Sequence, residues 1–210
     1  MINVLFVEDH AIVREGLKQI LADTTDIVVA DEAGDGEEAL AKVGKRDFDI
    51  AVLDISMPGR SGLEILKELK TIRPALPVLI LSMYPEELYA VRAFKSGASG
   101  YLSKESAPTE LITAIRKVSS GGKYVSPSLA ESLALNLGDD NGKPLHNKLS
   151  SREYQILCMI ASGKTGKEIA SELNLSAKTV STYRARVLEK MGMRSNAELT
   201  HYALQNALVC

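Results

Sequence analysis

"AVLDISMPGRSG", residues 51–62, carries an apolar run into an aspartate and then into a turn rich in proline and glycine. A carboxylate is costly to bury unless it is paired, so Asp54 at the edge of a core strand needs a reason. Similar apolar runs surround it: "NVLFV" (3–7), "IVVA" (27–30), "PVLILS" (77–82) and "SGYLS" (99–103). Between them apolar residues recur at helical spacing. Ile12, Val13, Leu17, Ile20 and Leu21 form one stripe; Leu63, Leu66 and Leu69 form another. Leu88, Val91 and Phe94 make a third, and Leu111, Ile112, Ile115 and Val118 a fourth, while "DGEEALAKV" (35–43) fits the remaining connection. Near-continuous apolar strands alternating with helices predict a doubly wound α/β domain whose five-stranded parallel sheet is covered on both faces.

In such a sheet, ligand chemistry gathers at the carboxyl ends of the strands, near the point where strand order reverses. Strand one closes with Glu8 and Asp9, strand three with Asp54, strand four with Ser82 and strand five with Lys104. With the order 2-1-3-4-5, three carboxylates converge beside a hydroxyl and an ammonium. Close anions repel and raise one another's affinity for protons. Mg²⁺ removes that conflict, because it binds a few carboxylates and keeps waters that phosphoryl oxygens displace. An aspartate is also a nucleophile that forms an acyl phosphate. Lys104 then neutralises phosphoryl charge and Ser82 donates a hydrogen bond to it. Each residue alone has an ordinary role: Asp54 as turn former, Glu8-Asp9 as a helix N-terminal pair, Lys104 as surface charge. All five at strand ends are hard to obtain by chance.

The 210 residues are 45% hydrophobic and 25% charged, an ordinary globular composition. No apolar run approaches the ~20 residues that span a bilayer. "INVLFV" is followed at once by Glu8 and Asp9, which argues against a signal peptide. Cys158 and Cys210 lack metal or redox spacing and are expected to be reduced thiols in the cytoplasm. Charge divides unevenly. Residues 1–122 carry 14 Lys+Arg against 19 Asp+Glu, a net −5, and residues 148–210 carry 9 against 5, a net +4. A basic C-terminal part is compatible with a nucleic-acid partner.

After "SGGKYVSPS" the pattern changes. Residues 127–137 fit one short helix, and "GDDNGKPLHNK" (138–148) reads as a linker. Beyond it only helical signals remain, at 151–162, 166–173, 177–191 and 196–208, with Gly163, Asn174 and Gly192 as stops. Ile169, Ala170 and Leu173 pack one helix, Val180, Val187 and Met191 the next, and Leu175 plugs the turn. Periodicity alone fits a helical hairpin and a helix-turn-helix equally well. The outward face favours the second. Lys178, Ser181, Thr182, Ala185 and Arg186 share a side opposite the apolar stripe, where small and hydroxyl groups admit base edges and cations meet phosphates. Ser176 is a good N-cap.

The first part resembles the receiver domain of two-component response regulators over residues 2–121. "VEDH" (7–10), "LDISMPGRSG" (53–62), "LILS" (79–82) and "GYLSK" (100–104) carry the likeness. It implies a flavodoxin-like sheet with Asp54 as phosphoacceptor, Glu8 and Asp9 as Mg²⁺ ligands, and the backbone carbonyl of Ser56 completing the set. Ser82 and Tyr101 match the family's switch pair and Lys104 its lysine; Glu8 stands where many members have aspartate. The second part resembles the LuxR-type helix-turn-helix of the NarL/FixJ subfamily over residues 146–208. The likeness rests on "LSSREYQIL" (149–157), "GKTGKEIASELNLSAKTVSTYRARVLEKMG" (163–192) and "NAELTHYAL" (196–204). It implies major-groove entry by the second helix of the motif and dimerisation through the last. The expected DNA contacts are Lys178, Thr179, Ser181, Thr182, Arg184 and Arg186, and Ser181 and Ala185 replace lysine or bulky groups of several relatives.

The expected arrangement is a receiver at 1–121, a short helix and linker at 122–148, and a DNA-binding domain at 149–210. A histidine kinase donates the phosphoryl group, double-stranded DNA is the target, a homodimer is the active form, and no membrane is involved. The phosphoryl group draws Ser82 and Lys104 inward and lets Tyr101 turn toward the core. The receiver assists its own phosphorylation and dephosphorylation without being a turnover enzyme. Two other readings compete: a phosphate sink with a vestigial tail, and DNA binding that ignores phosphorylation. A flavin-phosphate site is disfavoured because "EDHAIVREG" is acidic, and a haloacid-dehalogenase-like phosphatase because Ser56 replaces its second acid.

Overall fold

The computed structural model describes residues 1–57, 59–84, 86–126, 129–130, 144–206 and 208–209, with backbone alone at positions 87 and 88. The side chain of Leu88, the helix expected over 127–137 apart from residues 129 and 130, most of the 138–148 linker and Cys210 lie outside the described residues. The chain divides into two compact units, Met1–Gly138 and Asp139–Cys210.

The first unit holds strands β1 (Ile2–Val7), β2 (Ile27–Ala33), β3 (Ile50–Asp54), β4 (Val78–Ser82) and β5 (Gly100–Ser103). They are parallel in the order β2-β1-β3-β4-β5, so the reversal falls between β1 and β3 as expected. The intervening helices are α1 (Ala11–Ala22), α2 (Gly36–Lys45), α3 (Gly62–Ile72), α4 (Glu86–Lys95) and α5 (Ala107–Ser119). Val4, Phe6, Ile50, Val52, Leu79, Leu81 and Leu102 pack with Leu17 and Leu21 of α1 and with Leu111, Ile115 and Val118 of α5. Alternate residues Leu5, Val7, Ala51, Leu53 and Ile80 are equally buried, as strand geometry requires when both faces are covered. On α2, a Cβ at Gly36 would stand 2.3 Å from Ile65 Cδ1, so the lack of a side chain lets α2 and α3 meet.

β2 extends three residues beyond the apolar run that predicts it. Asp31 and Glu32 remain in the strand because cations meet them at the sheet edge: Lys42 Nζ lies 2.7 Å from Asp31, and Arg14 and Lys18 lie 2.8 Å from Glu32. Hydropathy alone does not register such pairing.

The second unit opens with a 3₁₀ turn, Leu145–Lys148, followed by α6 (Ser151–Ala161), α7 (Gly166–Glu172), α8 (Ala177–Met191) and α9 (Asn196–Gln205). Ser150, Thr165, Ser176 and Ser195 each accept the amide three residues on, which satisfies an otherwise orphaned N–H at the start of each helix. Gly163, Asn174 and Gly192 adopt φ of 85°, 49° and 66°, the left-handed region that ends a helix. The expected core is borne out: Ile169, Ala170, Leu173, Val180, Val187 and Met191 are buried, together with Leu199 and Ala203 of α9. α9 stops at Gln205, short of the expected 208, where Leu208 N turns back onto Ala203 O at 2.8 Å. No described helix is long and apolar enough to cross a membrane.

Candidate functional site

Register builds the acidic end of the sheet. Val7 pairs with Leu53 and Asp54 with Leu81, so Glu8 follows β1 beside Asp54, and Ser82, one residue past Leu81, pairs with Ser103. Lys104 follows directly, its amide donating to Ser82 O at 2.8 Å. Asp54 is 2% exposed and Glu8 1%. Lys104 Nζ lies between them, 2.6 Å from Glu8 Oε2 and 2.9 Å from Asp54 Oδ2. One ammonium thus spans carboxylates from two neighbouring strands.

Three features hold Asp54 in place. Its Oδ1 accepts the Ser56 amide at 3.0 Å. Gly62 at the start of α3 lies against the strand, since a Cβ there would stand 2.0 Å from the Asp54 carbonyl oxygen. The Gly62 amide donates to Ile55 O at 3.0 Å. Arg14 of α1 donates to the Glu8 carbonyl and pairs with Glu32, which fixes the chain where β1 ends.

Burial pushes the Asp54 carboxyl above the ordinary aspartate range; Lys104 pulls against this and Glu8 adds to it. For Lys104, burial works against the ammonium, but Asp54 and Glu8 outweigh it and hold the group protonated above the ordinary lysine range. Two carboxylates, Glu8 and Asp54, share this one lysine, and Asp9 follows Glu8 in the chain. Asp9 Oδ1 is shielded from solvent and accepts no hydrogen bond from the described residues, with His10 Nδ1 standing 3.1 Å away. An oxygen-rich donor set with a buried oxygen left over fits a hard divalent cation.

The residues expected to switch already stand inward in this structure. Tyr101 was expected to turn inward when phosphoryl charge draws Ser82 and Lys104 in. The structure has its ring wholly buried already, with the hydroxyl donating to Tyr84 O at 2.9 Å, and has Lys104 already seated between its carboxylates. The reason is local: each inward position satisfies a polar group that burial would otherwise penalise. Burial also drives the Tyr101 phenol well above its ordinary range, with hydrogen bonding from Ser82 opposing that shift. Ser82 Oγ accepts the Tyr84 amide at 3.1 Å, and Tyr84 stacks on Tyr89 with ring centroids 4.6 Å apart.

In the second unit, α7 and α8 join through Leu173–Ser176, and Leu175 N donates to Ala170 O at 2.8 Å. Lys178, Ser181, Thr182, Ala185 and Arg186 are exposed on α8, while Val180 and Val187 face inward. Two expected contacts are engaged within the unit. Thr179 Oγ1 lies 2.8 Å from the capping Ser176 Oγ, and Arg184 Nε donates to Asn196 Oδ1 of α9 at 2.6 Å. Tyr183, which the sequence reading passed over, joins Lys178, Thr179, Thr182 and Arg186 in lining a shallow groove of about 290 Å³. An aromatic at that helical position was visible in sequence, but its place on the outward face depends on how α8 packs. His10, quoted within "VEDH" without a role, was also missed; it stands beside Glu8 and Asp9.

These two surfaces, an acidic pocket closed by lysine and an exposed basic helix, have a common source in known proteins. Residues 4–116 match the response regulator receiver domain, and residues 147–203 match the bacterial regulatory proteins of the luxR family. The chain belongs to the two-component response regulators of the NarL/FixJ type, transcription regulators with a LuxR-type DNA-binding domain. Response regulator UvrY of Escherichia coli (strain K12) is 38% identical over 209 residues, 99% of this chain and 96% of that protein. Transcriptional regulatory protein UhpA of Salmonella typhimurium is 40% identical, over 96% of this chain and 97% of its own. Among solved structures, RcsB from Salmonella enterica serovar Typhimurium, bound to promoter rprA in the presence of the phosphomimetic BeF3-, matches with a TM-score of 0.65. It is 27% identical, and the match covers 96% of this chain and 97% of that one.

Proposed function

We propose that Asp54 accepts a phosphoryl group from a histidine kinase and that this controls DNA binding by residues 149–210. In this reading residues 1–121 form the receiver and 122–148 the connection. The observation that supports it most is the Lys104 ammonium held against both Glu8 and Asp54. Such a cation compensates two buried carboxylates at rest and is in reach of phosphoryl oxygens added to Asp54.

An Asp54 carboxylate oxygen attacks the phosphorus of the donor. The new P–O bond forms as the P–N bond of the donor phosphohistidine breaks, and its electron pair stays on the imidazole nitrogen. Lys104 exchanges its carboxylate contacts for the incoming phosphoryl group, and the Ser82 hydroxyl, now tied to the Tyr84 amide, turns to donate to it. Mg²⁺ held by Glu8, Asp9, Asp54 and the Ser56 carbonyl would neutralise the charge that gathers there. Ser56, two residues past Asp54, and Tyr84, two past Ser82, are the positions whose side chains would screen the phosphoryl group from water and so set how fast the receiver removes it. Movement of Ser82 disturbs the Ser82–Tyr84–Tyr101 linkage, a two-state element that phosphorylation biases.

On α8, Lys178, Ser181, Thr182 and Arg186 face the major groove and its phosphates, with Thr179 and Arg184 at the margin. Two copies joined on phosphorylation match half-sites about one helical turn apart. The protein works in the cytoplasm. The test is labelling of the full chain by phosphoramidate, read on a phosphate-affinity gel, followed by gel shifts on genomic fragments. Labelling is expected to vanish in Asp54→Asn, and phosphorylation to strengthen salt-sensitive, sequence-selective retention. Undiminished labelling of Asp54→Asn, or no retention at low salt in either state, overturns the proposal.

A further inference from the structure

His10 gives the acidic end of the sheet a donor that the metal chemistry of carboxylates does not need. Its ring stands at the rim, with 66% of the side chain exposed, yet its Nδ1 points inward. That nitrogen lies 3.2 Å from Glu8 Oε1 and 3.1 Å from Asp9 Oδ1. The ligand atoms of the three residues all lie within 4.8 Å of one another. Metal bonds of about 2.1 Å place neighbouring donors roughly 3.0 Å apart in an octahedron and roughly 3.4 Å apart in a tetrahedron. The two observed separations fall between those edges.

Hydrogen bonding accounts for only part of this arrangement. A neutral imidazole has one N–H, and the contact with hydrogen-bond geometry is the one to Glu8 Oε1, which also accepts the His10 amide at 3.2 Å. Asp9 Oδ1 is buried and accepts none, although it stands nearest the ring nitrogen. Three donor atoms from consecutive residues therefore converge, and one carboxylate oxygen has no other use among the described residues. His10 caps the entry to α1 without any side-chain hydrogen bond to the helix amides, so capping does not hold the ring there.

We infer that His10 is a nitrogen ligand at this site, and that the receiver binds a first-row transition cation more tightly than a site built of oxygens alone. Imidazole is a borderline donor that suits Mn²⁺, Co²⁺, Ni²⁺ and Zn²⁺, whereas Mg²⁺ favours oxygen. This rests on the reading of Glu8, Asp9 and Asp54 as metal ligands, and the experiment separates the two. Untagged full chain, His10→Gln and Glu8→Gln are each loaded with Mn²⁺ and examined by pulsed electron paramagnetic resonance, and Ni²⁺ and Mg²⁺ binding is followed by calorimetry. Thermal melts in chelator confirm that each variant is folded.

The expected result is imidazole ¹⁴N modulation in the parent, absent in His10→Gln although Mn²⁺ still binds. Ni²⁺ affinity falls about tenfold or more in His10→Gln while Mg²⁺ affinity changes less than about threefold. Glu8→Gln weakens every cation. Bound Mn²⁺ without ¹⁴N modulation in the parent, or Ni²⁺ affinity untouched by His10→Gln, overturns the role of His10 and leaves the carboxylate reading standing. Failure of the parent to bind Mn²⁺ or Mg²⁺ overturns both.

Discussion

The two working surfaces of this protein place their charges in opposite environments. In the receiver Glu8 and Asp54 are buried at strand ends and held by one lysine; on α8 Lys178 and Arg186 are exposed on one helix face. Burial makes the first surface costly in itself, so its residues are coupled and removing one leaves another without compensation. The second costs little to maintain, because Lys178 and Arg186 are exposed and solvated. Energetic coupling at rest therefore separates the pocket from the reading face, and mutation tests that contrast.

The largest effect is expected at the pocket. Lys104→Met leaves Glu8 and Asp54 facing each other, and urea denaturation of the receiver should show a loss of about 3 kcal/mol. Adding Glu8→Gln should recover much of that loss, so the double-mutant cycle is strongly non-additive. Additivity would break the comparison. Lys178→Ala and Arg186→Ala should behave in the opposite way. Each is expected to lower the slope of log K against log salt for DNA binding by about 1 and to change unfolding stability by no more than about 0.5 kcal/mol.

A smaller effect sharpens the boundary between the classes. Glu153 of α6 is buried in the basic unit and meets Lys190 Nζ of α8 at 2.7 Å. Burial works to raise its carboxyl, but Lys190 and the Ser150 amide outweigh it and hold the group below the ordinary value of 4.5. A depressed folded value stabilises the fold above the unfolded value, and the benefit is lost as pH falls through the folded one. Glu153→Gln should thus cost about 1 kcal/mol near neutral pH, with the gap to the parent closing below about pH 4.5 in thermal melts. The smallest effect is expected from Arg184→Ala. Loss of its bond to Asn196 should change stability by about 0.5 kcal/mol or less, and the freed α8–α9 contact is read by hydrogen exchange at α9.

Legibility in the sequence follows the same division. Apolar strands ending at Glu8, Asp54, Ser82 and Lys104 announce the pocket, because charge placed at the end of a buried run has few ordinary causes. The helix stops at Gly163, Asn174 and Gly192 are legible for a backbone reason, the left-handed φ that each adopts. Features that depend on meetings between elements stayed hidden. The charged end of β2 needs cations from α1 and α2, and the turn of His10 toward its two predecessors is a rotamer that no spacing encodes. The engagement of Arg184 depends on where α9 lands against α8. On the reading face, solvated residues of several kinds look alike until a partner is present, which is why Tyr183 escaped notice.

Gly62 has a consequence for how a signal leaves the acceptor. With the first turn of α3 seated directly on the Asp54 carbonyl, and β1 and β4 on either side, the backbone at Asp54 has no room to shift. Under the phosphoryl transfer proposed above, displacement then falls to side chains, the Lys104 stem and the Ser82 hydroxyl, which exchange the contacts they hold at rest. In that proposal a rigid seat beneath and exchanging side chains above direct the change toward β4, which ends at Ser82, and β5, which leads into Lys104.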